Sequence, residues 1–297
     1  MESVRNIQRL AILLAAASYL FAADPIFLRR QVSDVKPQPD DLTAPDSKAA
    51  SYKPLFGIGS RDADQLYSVA RYGELTVEPG GSSSLVSYPA EEQIYFVEEG
   101  SGTLLYGDEK TPLRKNDFMY LPIGVRHGIA NSSNAAIKVI VMGYKIPSGI
   151  LVRSTPKLLL ANADDVALQI LGDHDPNTRC KRLMGHNNSW LDILAAAYEM
   201  DSLSLVDFAP FGTNFPDNHP GDVEFYLLLR GAGDLVAGLD AAGKQMRYHV
   251  TQGAAFLFNP GTDIGYYSDV KKGQPHDLML AARSRAGEVV GGAAHRQ

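Results

Sequence analysis

Pro122-Ile-Gly-Val-Arg-His127-Gly-Ile-Ala-Asn131 sits between two apolar runs, Asp117-Phe-Met-Tyr-Leu and Ile137-Lys-Val-Ile-Val-Met. A Pro-x-Gly step between β-prone runs reads as a tight turn, because Pro presets its own φ and Gly accepts a positive one. The second half of the chain repeats the step as Asn259-Pro-Gly261, just ahead of Ile264-Gly-Tyr-Tyr-Ser268. Working outward, the other punctuation repeats as well. Gly100-Ser-Gly102 and Gly231-Ala-Gly233 each close an apolar run, and Gln93 and Glu224 each stand seven residues before the first glycine. Between these marks lie short runs such as Gly73-Glu-Leu-Thr-Val, Gln93-Ile-Tyr-Phe-Val, Ser202-Leu-Ser-Leu-Val and Glu224-Phe-Tyr-Leu-Leu-Leu. Many short strands joined by regularly spaced turns make a sandwich or a barrel. The repetition predicts two copies of one all-β unit.

Composition narrows the function. A chain of 297 residues has room for two domains of about 130–150 residues each. Hydrophobic residues at 45% and charged residues at 21% describe a globular protein and exclude a disordered or collagen-like one. Lys and Arg number 28 against 34 Asp and Glu, a net charge of −6, which leaves no basic face for a nucleic acid. Cys180 is the only cysteine, so an internal disulfide and a multi-thiolate zinc site are both excluded.

The first residues read as an export signal. Arg5 and Arg9 precede the apolar run Leu10 to Phe21, and Ala22-Ala23 supply a small-residue cleavage site. That run is shorter than the roughly 20 apolar residues a membrane span needs. The expectation is cleavage of residues 1–23, export to the periplasm or beyond the cell, and no membrane span thereafter. Residues 24–54 are polar and Pro-rich and are expected to form an extended arm outside the core. The first barrel is then expected over 55–147, a linker with room for a short helix in 161–171 over 148–190, the second barrel over 191–285 and a tail over 286–297.

In these motifs the chain resembles the bicupins, which carry two cupin barrels (double-stranded β-helix, jelly-roll) in one polypeptide. The resemblance covers roughly residues 70–145 and 200–283. In the family, a His-x-His pair, a Glu and a later His converge inside the barrel on one divalent metal. In the first half Val86 and Tyr88 stand where the paired His belong, Gln93 replaces Glu, and Asn116 stands at the opening glycine; His127 and Asn131 match. One imidazole and one amide make a poor metal site, so Tyr88, Gln93, Tyr95 and His127 are expected to line a dry or organic-ligand pocket.

In the second half Asp217, His219 and Glu224 fall on the ligand positions and Ile264 on that of the last His. The resemblance implies a divalent transition metal (Mn, Fe or Zn) on those three residues. If Glu224 points inward, alternation turns Tyr226 inward as well, and Tyr266 follows Ile264. These two are expected either to orient a polar substrate or act as catalytic weak acids, or to be packed aromatics with a wet hydroxyl. The other reading makes Asp217 and Glu224 solvated carboxylates and His219 a surface residue. The acid-x-His start is similar to that of the ureidoglycine aminohydrolases, whose remaining ligands differ from those here. The expected function is therefore a metal-dependent enzyme of hydrolase, isomerase or lyase type, less a dioxygenase, acting on a small molecule from the second barrel. The alternative is a metal-free or structurally metallated protein that binds a sugar or organic acid. Barrel edges also suit a homodimer.

Overall fold

The computed structural model describes residues 27–60, 66, 68–152, 157–170 and 174–286. The expected signal segment 1–23 and nearly all of the tail lie outside these. Strands dominate, and the only helical turns among the described residues are three-residue 3-10 turns. None of the described helices is long and apolar enough to cross a membrane.

Each half builds the same curled sheet in the same order. In the first, Asp117–Leu121, Glu91–Glu99, Ile137–Lys145, Val69–Ser82 and Lys48–Gly57 lie side by side. In the second, Ala254–Phe258, Asp222–Arg230, Asp277–Arg285, Met200–Phe208 and Thr178–His186 follow the same order. The first sheet closes on itself because Val69–Ser82 is long enough to pair with Ile137–Lys145 along most of its length and with His127–Ala130 at Ser82. In the second, Thr213–Asp217, Ile264–Ser268, Ala232–Leu239 and Gln245–Thr251 form a separate four-stranded wall.

The repeated glycines do the work their spacing suggested. Gly100 and Gly231 adopt φ of +79° and +103°, and a Cβ there would lie 2.2 Å from Ala136 O and 1.7 Å from Asp277 Oδ1. Asn116, where the motif has glycine, takes φ +67°. Asn is among the few residues that tolerate this region, so the departure leaves the turn intact.

Alternation splits the side chains of each sheet between two cores. One face fills its own barrel: Leu75, Tyr95, Val97, Met119 and Val141 in the first, and Phe208, Phe256, Phe258, Ile264 and Met279 in the second. The opposite faces of the two sheets pack on each other in one shared core. There the Tyr72 and Phe225 rings stack 4.2 Å apart, and Phe56 meets Phe225 edge-on at 6.1 Å. Glu92, with no exposed surface, spans this junction. Its carboxylate accepts hydrogen bonds from the backbone N–H groups of Tyr198, Glu199 and Met200 and from the Tyr120 hydroxyl.

The stretches expected to be peripheral differ from expectation. The 24–54 arm is built into both barrels. Phe27–Gln31 pairs with Ala254–Phe258 of the second barrel, Leu42 is buried inside the first, and Lys48–Gly57 is a barrel strand. Its Pro and charged residues hid the fact that Leu42 and Tyr52 are fully buried. The expected boundary at 54/55 therefore cuts a strand. The 148–190 linker likewise supplies Leu159–Asn162, which pairs with Asp117–Leu121, and Thr178–His186. In place of the expected helix there is one turn, Ala163–Asp165, capped by the Asn162 side chain accepting from Asp164 N–H. Leu159–Asn162 and Phe27–Gln31 extend equivalent edges of the two barrels, so each sheet is lengthened by a segment from outside its own repeat.

Candidate functional site

The second barrel opens into a cleft of about 150 Å³. Strand Thr213–Asp217 delivers Asp217 to it, strand Asp222–Arg230 delivers Glu224 and Tyr226 on one face, and the turn between them delivers His219. The turn is pinned by the His219 carbonyl, which accepts from Asp222 N–H at 3.2 Å and Gly261 N–H at 3.1 Å. Arg283, Arg182, Ser202 and the buried Cys180 are among the other residues that line it.

His219 Nδ1–H donates to Glu224 Oε1 at 2.6 Å, while Nε2 lies 3.9 Å from Asp217 Oδ2. The Glu224 hydrogen bond lifts the His219 pKa, against the opposing effect of burial. Burial lifts Asp217, with Glu224 adding to the rise. Replacing Glu224 by Gln removes the charge that stabilises the imidazolium. The His219 pKa, read from its ring resonances by NMR titration, is then expected to fall toward its ordinary value; an unchanged value would mean that Glu224 does not hold the ring.

This arrangement does not fit the expected cation. The nitrogens of an imidazole point away from each other, and here one faces Glu224 and the other Asp217. A cation on Nε2 is remote from Glu224, and one on Nδ1 is remote from Asp217. Among the described residues no three His, Cys, Asp or Glu side chains are grouped to hold a metal. Ile264, buried against Asp217's strand, supplies no donor. His276 does not complete the set, since its Nδ1 is paired with Asp207 at 2.7 Å. Tyr226 lines the cleft, and burial drives its hydroxyl pKa well up. Tyr266 does not: its hydroxyl donates to Asp277 Oδ2 at 2.8 Å beside Ser268 Oγ, a structural bond that argues against the expected catalytic part.

In the first barrel Tyr88 and Tyr95 stand beside His127, and Gln93 bonds to Glu91, the partner of Arg71. The Tyr95 and Tyr88 rings lie 5.5 and 6.0 Å from the His127 ring. His127 Nδ1–H donates to Val125 O at 3.0 Å, and burial pushes its pKa down to about 4, so the ring is neutral. Around them stands a charged group that motif reading missed. Arg71, 2% exposed, lies over the Tyr88 ring at 4.7 Å and pairs with Glu91 at 2.9 Å, Asp41 at 2.8 Å and Asp40 at 3.4 Å. Gln93 Nε2–H donates to the same Glu91 oxygen. Several polar atoms of this interior, Tyr52 Oη, Gln93 Oε1, Tyr95 Oη and His127 Nε2, are buried without a hydrogen-bond partner. Leaving such a group unsatisfied costs about 1–3 kcal/mol.

Two barrels of one topology, each with the ligand-position residues turned inward, are matched by known proteins. Residues 73–143 match the cupin domain family. Over most of its length the chain superposes on several solved structures. Protein YlbA of E. coli aligns with a TM-score of 0.64 at 13% identity, covering 90% of this chain and 96% of that one. A putative glyoxylate-induced protein of Pseudomonas aeruginosa gives 0.66 at 14% identity, covering 93% and 96%. A mutant of the Bacillus subtilis oxalate decarboxylase OxdC gives 0.62 at 11% identity, covering 88% and 77%. This chain has the bicupin fold.

Sequence relatives of the bicupin are shorter matches. Xanthan biosynthesis protein XanB of Xanthomonas campestris is 30% identical over 89 residues, 30% of this chain and 18% of XanB. Uncharacterized protein MJ1618 of Methanocaldococcus jannaschii is 31% identical over 71 residues, 24% of this chain and 57% of that protein. The bicupin's two arginines also follow the internal repeat in a way no motif records. Arg71 lies opposite Gly143 in the first barrel, and Arg283 lies opposite Ser202 in the second. The strands have exchanged which one carries the guanidinium, yet it stands next to Glu91 and Gln93 in one barrel and opposite Glu224 in the other. A Cβ on Gly143 would sit 2.9 Å from Arg71 Cγ, which is why glycine faces the arginine there.

Proposed function

We propose that this bicupin binds a small polar organic molecule in the cleft of its second barrel, without a resident metal, and does so outside the cytoplasm. The observation that carries the reading is the His219 ring held between Glu224 and Asp217, which leaves the three expected ligands without a common centre. The cleft supports binding on its own account: it is concave and lined both by apolar Val206, Phe208 and Met279 and by hydrogen-bonding groups. Arg283, Ser202 and Tyr226 suit a carboxylic acid or a sugar. Residues 1–23 support export.

Metal content by mass spectrometry on the chain purified without chelator, beside calorimetric titration with small carboxylic acids and sugars, tests this. The expected result is less than a tenth of a metal per chain, roughly, and ligand binding unaffected by chelator but weakened about tenfold or more in His219→Ala and Glu224→Ala. Near-stoichiometric metal lost in both variants would overturn it and restore a metal-dependent enzyme.

A further inference from the structure

We propose that the first barrel is a second ligand site, separate from the cleft just described, that takes a small neutral polyhydroxylated molecule and is closed by the chain's own 40–46 segment. Four atoms carry the inference: the hydroxyls of Tyr52 and Tyr95, Oε1 of Gln93 and Nε2 of His127. Their side chains are at most 1% exposed. They come from three strands, Lys48–Gly57, Glu91–Glu99 and His127–Ala130, and face one interior. A single orphaned group is tolerable; four converging in one barrel are the complement of something.

Their chemistry states what that something is. His127 has its Nδ1 hydrogen on Val125 O, so Nε2 offers only a lone pair. The Gln93 amide hydrogen is engaged by Glu91, so its free Oε1 also only accepts. The two tyrosine hydroxyls both donate and accept. The ligand must therefore bring at least two donors and further groups of either kind, as adjacent hydroxyls do. A carboxylate would set its lone pairs against Nε2 and Oε1, and an ammonium would stand beside Arg71. A metal would find one imidazole and one amide, both uncharged.

The 40–46 segment lies across this barrel. Leu42 is fully buried in the interior cluster, its carbonyl accepts from Ser84 N–H at 2.9 Å, and Ser84 Oγ–H donates to Asp46 at 2.6 Å. Asp40 and Asp41 fasten the segment to Arg71. Entry of a ligand from this side requires the segment to lift, which means withdrawing Leu42, breaking the hydrogen bonds to Ser84 and opening the ion pairs to Arg71.

The test is thermal unfolding and calorimetry of the full chain with glycerol, erythritol, ribose and myo-inositol, with acetate and succinate as charged controls. At saturation at least one neutral polyol is expected to raise Tm by about 5 °C in the unmodified chain and in His219→Ala. The shift is expected to vanish in the double variant Tyr52→Phe, Tyr95→Phe, and in Gln93→Met, which removes the acceptor on its own should the double variant not fold. No response to any neutral polyol overturns the proposal, whether the double variant is then more stable than the parent (a dry interior) or less (water alone). A response that persists in these variants but disappears in His219→Ala overturns it too and moves the binding to the second barrel.

Discussion

Glu92→Ala is expected to lower the free energy of unfolding by about 3–5 kcal/mol, since each buried donor left unpaired costs about 1–3 kcal/mol and partial relaxation recovers part of the sum. The carboxylate accepts three backbone N–H groups from 198–200 and the Tyr120 hydroxyl, all at 2.9–3.2 Å. Alanine leaves those donors inside the inter-barrel core with nothing to bond. Glu92→Gln keeps the shape but replaces one acceptor oxygen by a donor, so its loss is expected to be smaller, about 1–3 kcal/mol. Because the three backbone bonds cross from one barrel to the other, the alanine variant is also expected to unfold in two thermal transitions where the parent unfolds in one. Urea unfolding and calorimetry read both effects. A loss below about 1 kcal/mol in the alanine variant would show that the shared apolar core docks the barrels without help from Glu92.

Arg71→Met is the second large effect, again about 3–5 kcal/mol, because three carboxylates lose a buried partner at once. Its size depends on pH, and the sign follows from the acids. Burial pushes Asp40 up to about 7, and Glu91 is also raised, burial being the main cause. Such groups favour the folded state most when protonated, below their unfolded pKa near 4. That contribution is lost as pH climbs through their folded values. Burial also opposes ionisation of Asp41, but hydrogen bonds with Asp40 and Arg71 outweigh it and bring the pKa to about 2. Its contribution is present above about pH 4 and fades only as pH falls toward 2. Without the guanidinium, all three acids are hardest to bury when ionised. The stability gap between parent and variant is therefore expected to widen from pH 5 to pH 8 in urea unfolding, with faster proteolysis of the 40–46 segment at the higher pH. A gap that narrows over that interval would mean that Arg71 acts by packing on Tyr88 and not by charge.

The reach of the residue pattern can be judged from particular positions. Gly100, Gly231, Gly124 and Gly261 all adopt positive φ, and this demand is local, so it shows in the string of residue types. The same holds for Asn116, whose departure from glycine keeps the φ. The two halves also pair alike at these positions: Val86 bridges His127 and Asp217 pairs with Ile264. The ligand positions were found, but not their geometry. Nothing in Asp217-Asn-His219 specifies that the ring turns Nδ1 toward Glu224, because that rotamer is settled by the turn and by the neighbouring strand.

The repeat of short strands and turn glycines, read residue by residue, was enough to establish two copies of one all-β unit, since φ preference and alternation act over a few neighbours. That each copy is a jelly-roll barrel was implied by the resemblance of the motifs to the bicupins. Folding in three dimensions decided the rest. It placed Phe27–Gln31 on a strand more than two hundred residues away, seated Leu42 in the first barrel, set Glu92 under the 198–200 backbone and surrounded Arg71 with three acids. Each of these joins groups distant along the chain whose energies depend on shared burial, and burial is a property of the packed chain that no local run of residues carries.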